Sequence, residues 1–369
     1  MQIRNRRHRL ATALAGLGAA VLIGLAGAPA QAASTTEEPA PAAAGWLADQ
    51  LVDGKFLLFD GTDFPDPGLT IDAVLAFAAA GVAGDDAEAA TAWLATPDTL
   101  TSYLGDRVDN TFAGAHAKLA LGAQVQGHDP TSFGGVDLLA GLLALQDEDG
   151  RFRDDSEFGD FSNAFSQSFA ILALARTPAG APPEAVDFLL AEQCPDGGYP
   201  EQFAQETCDS DVDATGMVVQ ATVAAGADQT AALDWLAGQQ QADGGFNGNA
   251  NSTGLAAQAL RAGGRDAEAE SAATFLEELQ IGCDGAEDQR GSIPASADDP
   301  GDVPRATAQA VPGMVGVAMG ELDGTGSQAE APLLTCETDP TPAPTGTAAP
   351  APPGGTGGEL PVTGSPVLL

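Results

Sequence analysis

One short signature returns along the middle of this chain and dictates most of what it can fold into. Its clearest copy is Trp235-Leu236-Ala237-Gly238-Gln239-Gln240-Gln241-Ala242-Asp243-Gly244-Gly245-Phe246. An Asp-Gly pair recurs at Asp53-Gly54, Asp149-Gly150, Asp196-Gly197, Asp243-Gly244 and Asp284-Gly285. In the first four, a ring follows three residues after the Asp (Phe56, Phe152, Tyr199, Phe246) and a Gln stands three before it (Gln50, Gln146, Gln193, Gln240). Those glutamines step by 96, 47 and 47 residues; the double step leaves room for a degenerate second copy, and Trp93-Leu94 sits 47 residues after Trp46-Leu47. A sixth copy falls around Phe275-Leu276 and Gln280. Units that recur at such a period cannot bury an apolar face alone and stack on their neighbours.

Each unit reads as two helices. The first ends at the Gln, the Asp-Gly pair turns the chain, and the ring after it pins the loop to the helix ends. The second helix begins at a Thr, Ser, Asn or Asp able to cap free amides, as in Asp213-Ala214-Thr215 and Asn251-Ser252-Thr253. It closes at Gly81, Gly226 or Gly263-Gly264. Leu255, Ala256, Ala259 and Leu260 make a one-sided stripe rich in Ala, which lets helices approach closely. No alternating strand pattern competes. The expected class is therefore all-α, with about six helix pairs over residues 42–336 that can close into inner and outer rings, an open solenoid being the alternative.

The two ends have different characters. Arg4, Arg6, Arg7 and Arg9 precede an apolar run and Ala30-Gln31-Ala32, which define a secretory signal peptide over residues 1–32. A short disordered segment, 33–41, is expected next. Residues 337–358 are rich in Pro, Thr, Ala and Gly and read as an extended stalk. In residues 359–369, Leu360-Pro361-Val362-Thr363-Gly364 resembles the LPxTG sorting signal of wall-anchored Gram-positive proteins. The resemblance implies a sortase as partner, with Leu360, Pro361, Thr363 and Gly364 as the sorting residues and the Thr–Gly bond as its target. The family's following membrane span and basic tail are absent from this sequence. The expected location is secreted, on the cell wall or surface.

Removing the leader leaves 10 basic against 52 acidic residues, a formal charge of −42. Such a chain repels nucleic acid, which is excluded as a partner. Cys194, Cys208, Cys283 and Cys336 are an even set in an exported chain, so two disulfides are expected. Three pairings are open; Cys194 with Cys208 would close a short loop, and Cys283 with Cys336 would tie the last repeat to the domain end. Zinc is disfavoured, because no CxxC pair occurs and His116 and His128 lie far upstream of all four.

Gln240 to Phe246, with its cognates, resembles the Q-x-x-D-G-G-[FY] repeat of the terpenoid cyclase and protein prenyltransferase superfamily. The resemblance covers roughly residues 42–334 and implies an (α/α)6 toroid with a pocket at the centre, though not one chemistry. The prenyltransferase zinc needs Asp, Cys and a downstream His; Asp284 adjoins Cys283, but no His follows. Class II terpene cyclases carry Asp-x-Asp-Asp-Thr-Ala, and Asp211-Val212-Asp213-Ala214-Thr215-Gly216 is similar to it. That likeness makes Asp213 the proton donor and Asp211 its neighbour, with Ala214 replacing the third carboxylate. A strong neutral acid loses its tuning without such partners. The aromatic share of 5% is also meagre for stabilising carbocations by cation–π contact. Helix capping is the competing role for both residues.

Asp209, Asp211 and Asp213 alternate as an EF-hand loop begins, but Ala214 and Gln220 stand where that loop needs Gly and Glu. Only a looser calcium site, helped by Glu206, or a second at Asp147, Asp149, Asp154, Asp155 and Glu157, is compatible; no other cofactor is indicated. No nucleophilic triad or phosphate-cradling Gly loop is present. The reading that results is a non-catalytic surface toroid offering a central pocket or loop face to a small molecule or wall component. Its rival is a reduced terpene cyclase acting through Asp213; a purely structural spacer predicts a filled ring.

Overall fold

A computed structural model describes residues 34–58 and 64–336. The leader, the stalk and the Leu360–Gly364 motif lie outside the described residues. Thirteen α-helices carry the described part: α1 (Pro39–Asp49), α2 (Pro67–Ala80), α3 (Gly84–Leu94), α4 (Pro97–Leu104), α5 (Ala113–Val125), α6 (Leu138–Leu143), α7 (Ala164–Ala175), α8 (Pro183–Ala191), α9 (Val212–Ala224), α10 (Thr230–Gln239), α11 (Ala250–Ala262), α12 (Asp266–Leu279) and α13 (Val303–Val315). Four two-residue strands join them: β1 (Thr35–Thr36), β2 (Asn110–Thr111), β3 (Asp155–Ser156) and β4 (Leu333–Leu334).

Helices α2, α5, α7, α9, α11 and α13 pack each on the next, and α13 returns to α2, closing an inner ring. The others lie outside, with α1 against α13 and α2, α8 against α7 and α9, α10 against α9 and α11, and α12 against α11 and α13. Sequence decides this division. In α2 every residue from Leu69 to Ala78 is buried, as befits a helix enclosed on all sides. In α12 only Ala269, Ala272, Phe275 and Leu276 are buried, a single stripe, and its acidic residues face outward. Small residues bring the inner helices together: a methyl group on Gly254 would lie 2.3 Å from the Gln309 carbonyl oxygen.

The repeated signature is a clamp. Gln240 Nε2 donates to the Gly244 carbonyl (2.9 Å) of its own loop and to the Glu268 carbonyl (2.8 Å) on the next outer helix. The loop glycine sits against that same helix. Gly150, at φ +91°, would place a Cβ 2.0 Å from the Glu184 carbonyl oxygen, so neither an L-residue conformation nor a side chain fits there. The ring residue is buried (Phe56, Phe152, Tyr199, Phe246). Its backbone N–H donates to a side chain in the first turn of the inner helix, as Phe56 does to Thr70 Oγ1 (3.0 Å) and Phe246 to Thr253 Oγ1 (2.9 Å).

The same device closes the circle. Gln280 Nε2 donates to the Pro39 carbonyl (2.8 Å) at the start of α1 and to the Gly291 carbonyl (2.9 Å). Trp46 Nε1 donates to the Asp288 carbonyl at 2.8 Å. β1 pairs in parallel with β4, and Cys283–Cys336 spans the same seam. The second disulfide is Cys194–Cys208, which selects one of the three open pairings.

Three expectations are corrected. Residues 34–41 are not a disordered segment: Thr35–Thr36 is held by Leu333–Leu334, and α1 begins at Pro39, where proline suits a helix start. In the sixth copy the clamp glycine is Gly291, not Gly285. The stretch between Ile281 and Ser292 is enlarged, and the Ile281 N–H donates to the Ser292 carbonyl (2.9 Å) as the Gln241 N–H donates to that of Gly245 (2.9 Å). In the second copy the outer helix is split into α3 and α4, and Phe112 N–H returns to the Leu104 carbonyl (3.2 Å) without a Gln clamp.

Candidate ligand site on the ring axis

The inner helices share a register that fixes what faces the axis. Near the start of each stands Thr70, His116, Gln167, Thr215, Thr253 or Thr307, all fully buried. These side chains turn back to the preceding loop. Thr70 Oγ1 donates to the Asp66 carbonyl (2.7 Å), and Thr307 Oγ1 to that of Val303 (2.8 Å). His116 Nδ1 lies 2.9 Å from the Phe112 carbonyl oxygen in the same geometry, and Gln167 Oε1 accepts from Phe152 N–H (2.9 Å). Two residues further on is about 200° around a helix, the opposite side. The residues there are Asp72, Lys118, Phe169, Met217, Leu255 and Gln309, and all six line one cavity of about 100 Å³ at the centre of the ring.

A layer above them, two residues before the register position, holds Gly68, Gly114, Phe165, Asp213, Asn251 and Arg305. Phe165 and Arg305 also line the cavity. Below, Met319 in the 3-10 turn Met319–Glu321 forms part of the lining, its N–H donating to Gln220 Oε1 (3.0 Å).

Charge is concentrated on one side of the axis. Lys118 Nζ lies 2.6 Å from Asp72 Oδ1 and 5.5 Å from the centre of the Phe169 ring. Arg305 reaches from α13 to α2, with Nη2 at 2.9 Å from Asp66 Oδ2 and Nη1 at 3.5 Å from Asp72 Oδ2. Burial works against the Arg305 cation, but Asp72, Asp66 and Asp302 outweigh it and hold the guanidinium protonated. Burial pushes the nearby Tyr103 phenol up, and the Asp72 and Asp66 carboxylates add to that.

Asp211 caps α9, its Oδ1 accepting from Ala214 N–H at 2.8 Å. Asp213, in the layer above, is half-buried and its Oδ1 is buried without a partner. Burial raises its affinity for a proton, a hydrogen bond to Ser252 opposes this, and the Asp211 and Glu201 charges reinforce it. Asp209 instead accepts from Thr207 Oγ1 (2.9 Å). The three carboxylates are thus held in separate roles, and among the described residues no group of three or more His, Cys, Asp or Glu is arranged to hold a metal ion. In the second acidic loop, Arg153 pairs with Asp147 and Asp149, and Asp154 accepts from the backbone of Ala113 and Phe161. His116 is buried, and burial depresses its proton affinity. A larger groove of about 830 Å³ lies off the axis, lined by His128 and Thr177 just past the ends of α5 and α7 and by Pro183 at the start of α8.

Sequence reasoning placed Asp211 and Asp213 but missed Asp72, Lys118, Arg305 and Gln258. One signal was available: Lys118 is an isolated cation inside an Ala-rich helix of a chain with few bases.

No family model matches the chain, and no curated protein matches it in sequence. Solved structures do match. A protein from Actinoplanes has a TM-score of 0.54 at 17% identity, covering 76% of this chain and 99% of that one. The type II terpene cyclase MstE from Scytonema, in complex with geranylgeranyl dihydroxybenzoate, has a TM-score of 0.55 at 16% identity, covering 75% and 95%. Its apo form has a TM-score of 0.54 at 15% identity, covering 75% and 96%. The fold is that of a terpenoid cyclase-like toroid.

Proposed function

We propose that this chain is an exported, wall-linked and non-catalytic binding module that receives its ligand on the ring axis. One observation carries this reading: the axis is crossed by the Asp72–Lys118–Arg305 network, which leaves about 100 Å³. Sites for drug-sized molecules run from about 300 to 1,000 Å³, and a polyprenyl chain is larger than the space left here. Two fixed cations on the axis also oppose a carbocation intermediate.

Export is supported by the leader, the sorting-like motif and the pairing of all four cysteines. Among the described residues no helix is long and apolar enough to cross a membrane. Secretion of the full chain from a Gram-positive host, followed by mass spectrometry, should give a mature start at Ala33. Thr363→Ala should abolish any wall attachment.

The second reading, a cyclase using Asp213, has its own support in a carboxyl whose proton affinity burial raises and whose Oδ1 is buried without a partner. Incubation with squalene and with a geranylgeranyl substrate separates the two. Unchanged substrate is the expected result. A cyclised product that disappears in Asp213→Asn would sink the binding reading.

A further inference from the structure

Charge on the ring axis is balanced within the protein. Asp72 is the one carboxylate that lines the axial cavity, and both cations that line it already hold it: Lys118 Nζ lies 2.6 Å from Oδ1 and Arg305 Nη1 3.5 Å from Oδ2. Behind Arg305, Asp66 Oδ2 faces Nη2 (2.9 Å) and Asp302 Oδ2 faces Nε (3.4 Å), so each guanidinium nitrogen has a carboxylate. A cation entering the cavity meets two like charges and a carboxylate that is taken. An anion must compete with three carboxylates for the same two cations. Either ion also sheds its water on entry, a loss that only a free partner of opposite charge would return. The guest that suits this cavity is neutral.

Hydrogen bonding in the cavity is not balanced. Gln258, 1% exposed, is part of the lining; its Nε2 donates to the Gly254 carbonyl (3.3 Å), and its Oε1 has no partner among the described residues. The reversed amide would set Oε1 against that carbonyl oxygen, so the acceptor is the end left over. Native proteins rarely leave a buried acceptor without a donor. Lys118 offers the complement, since Asp72 Oδ1 engages one of its three N–H groups. A neutral group that serves both must donate and accept at neighbouring atoms, as a primary carboxamide does; a hydroxyl would have to meet both from one oxygen. Phe165, Phe169, Met217 and Leu255 make the remaining wall apolar, fit for a short hydrocarbon stem. Size sets the last limit. The cavity holds about 100 Å³; one of about 150 Å³ takes benzene, so roughly four or five heavy atoms fit here.

We infer that the axial cavity binds a small primary carboxamide, whose N–H donates to Gln258 Oε1 and whose carbonyl accepts from Lys118 Nζ. The inference deepens the binding-module reading and rests on it. Asp72 and Arg305 act on the guest only by keeping Lys118 in place and by excluding ions.

The test is a saturation-transfer NMR titration of the full mature chain with propionamide, beside its near-isosteres propionate, propylammonium and 1-propanol and the larger nicotinamide, all at equal ionic strength. Saturable binding of propionamide is expected, about tenfold or more tighter than that of either ion and tighter than that of the alcohol, with none for nicotinamide. Gln258→Met, which keeps the length and removes the acceptor, should weaken propionamide about tenfold. Leu255→Phe, which fills the cavity, should abolish its binding; if that chain misfolds, Gln258→Met decides alone. No saturable binding of propionamide would mean that the cavity holds water only, and overturns the inference. So does binding of an ion, of the alcohol or of nicotinamide as tight as that of propionamide, or propionamide binding that is indifferent to Gln258→Met in a chain with wild-type circular dichroism. Turnover of squalene would instead overturn the non-catalytic reading, so the two failures are told apart.

Discussion

Removing Lys118 tests the central premise that the ring axis is a dry, ion-paired core. Its Nζ lies 2.6 Å from a carboxylate whose side chain is 9% exposed, and its own is 14% exposed. At an effective dielectric of about 20, that separation gives a gross attraction of about 6 kcal/mol. Lys118→Met forfeits this but also releases the lysine's own desolvation cost, which is several kcal/mol. Arg305 remains as a long-range partner for Asp72. The net expectation is a loss of about 3 kcal/mol, the lower end for stranding one member of a buried pair. Lys118→Met with Asp72→Leu should recover about 2 kcal/mol of it, because no charge is then stranded. Urea unfolding followed by far-ultraviolet circular dichroism gives both values, provided the m-values agree across the four proteins. A single-mutant cost below about 1 kcal/mol, or strict additivity of the two changes, would mean that the pair is solvated. The axis would then be wet and roomier than described, and the argument against a long apolar substrate would fail.

Three further outcomes follow from the structure. The chain-entropy relation gives about 4 kcal/mol for the 53-residue loop closed by Cys283–Cys336 and about 3 kcal/mol for the 14-residue loop of Cys194–Cys208; paired Cys→Ser variants should therefore differ in unfolding midpoint, the first being less stable. Gly150→Ala should cost about 3–5 kcal/mol from left-handed strain plus overpacking. Gly226→Ala, also at positive φ but with nothing within 4 Å of the added methyl, should cost only about 1–2 kcal/mol by the same melts. Burial first, and Arg107 next, depress the His116 proton affinity, so the unfolded chain binds a proton there more readily. That contribution to stability is present above the ordinary histidine value of about 6.5 and is lost on acidification. His116→Gln, which copies Gln167 in the next inner helix, should flatten the fall in urea midpoint below that pH, and an unchanged pH profile would refute the assignment.

The ring was legible because its determinants are local and repeated. Gln193, Gln240 and Gln280 each donate to a loop carbonyl within a few residues of a turn or the seam, so a fixed spacing in sequence becomes a fixed contact. The capping role of Asp211 was legible for the same reason. The split of α3 from α4 was not, since the second copy has lost the Gln and Asp-Gly pair that mark a boundary. Gly291 was hidden by an enlarged loop that carries a decoy pair at Asp284-Gly285. The axial network was the least legible part. Asp72, Lys118 and Arg305 come from three helices, two of them at opposite ends of the folded chain, and they meet only because the last inner helix returns to the first.

That return makes closure and site formation one event. Positions that clamp the repeats are alike in all copies but the second, whereas the residues two beyond the register position are all different: Asp72, Lys118, Phe169, Met217, Leu255 and Gln309. Six identical residues in one axial layer would give either an uncompensated charge or a featureless apolar plug. Six different ones give an asymmetric wall whose polar side is satisfied only when neighbours around the ring are in place. Asp72 needs Lys118 from the second repeat and Arg305 from the sixth. The seam that brings the sixth to the first is held by Gln280 on Pro39, Trp46 on Asp288 and Cys283–Cys336. Loosening that seam must therefore disturb the cavity as well as the fold, because the Arg305 reach of 2.9 Å to Asp66 exists only across it.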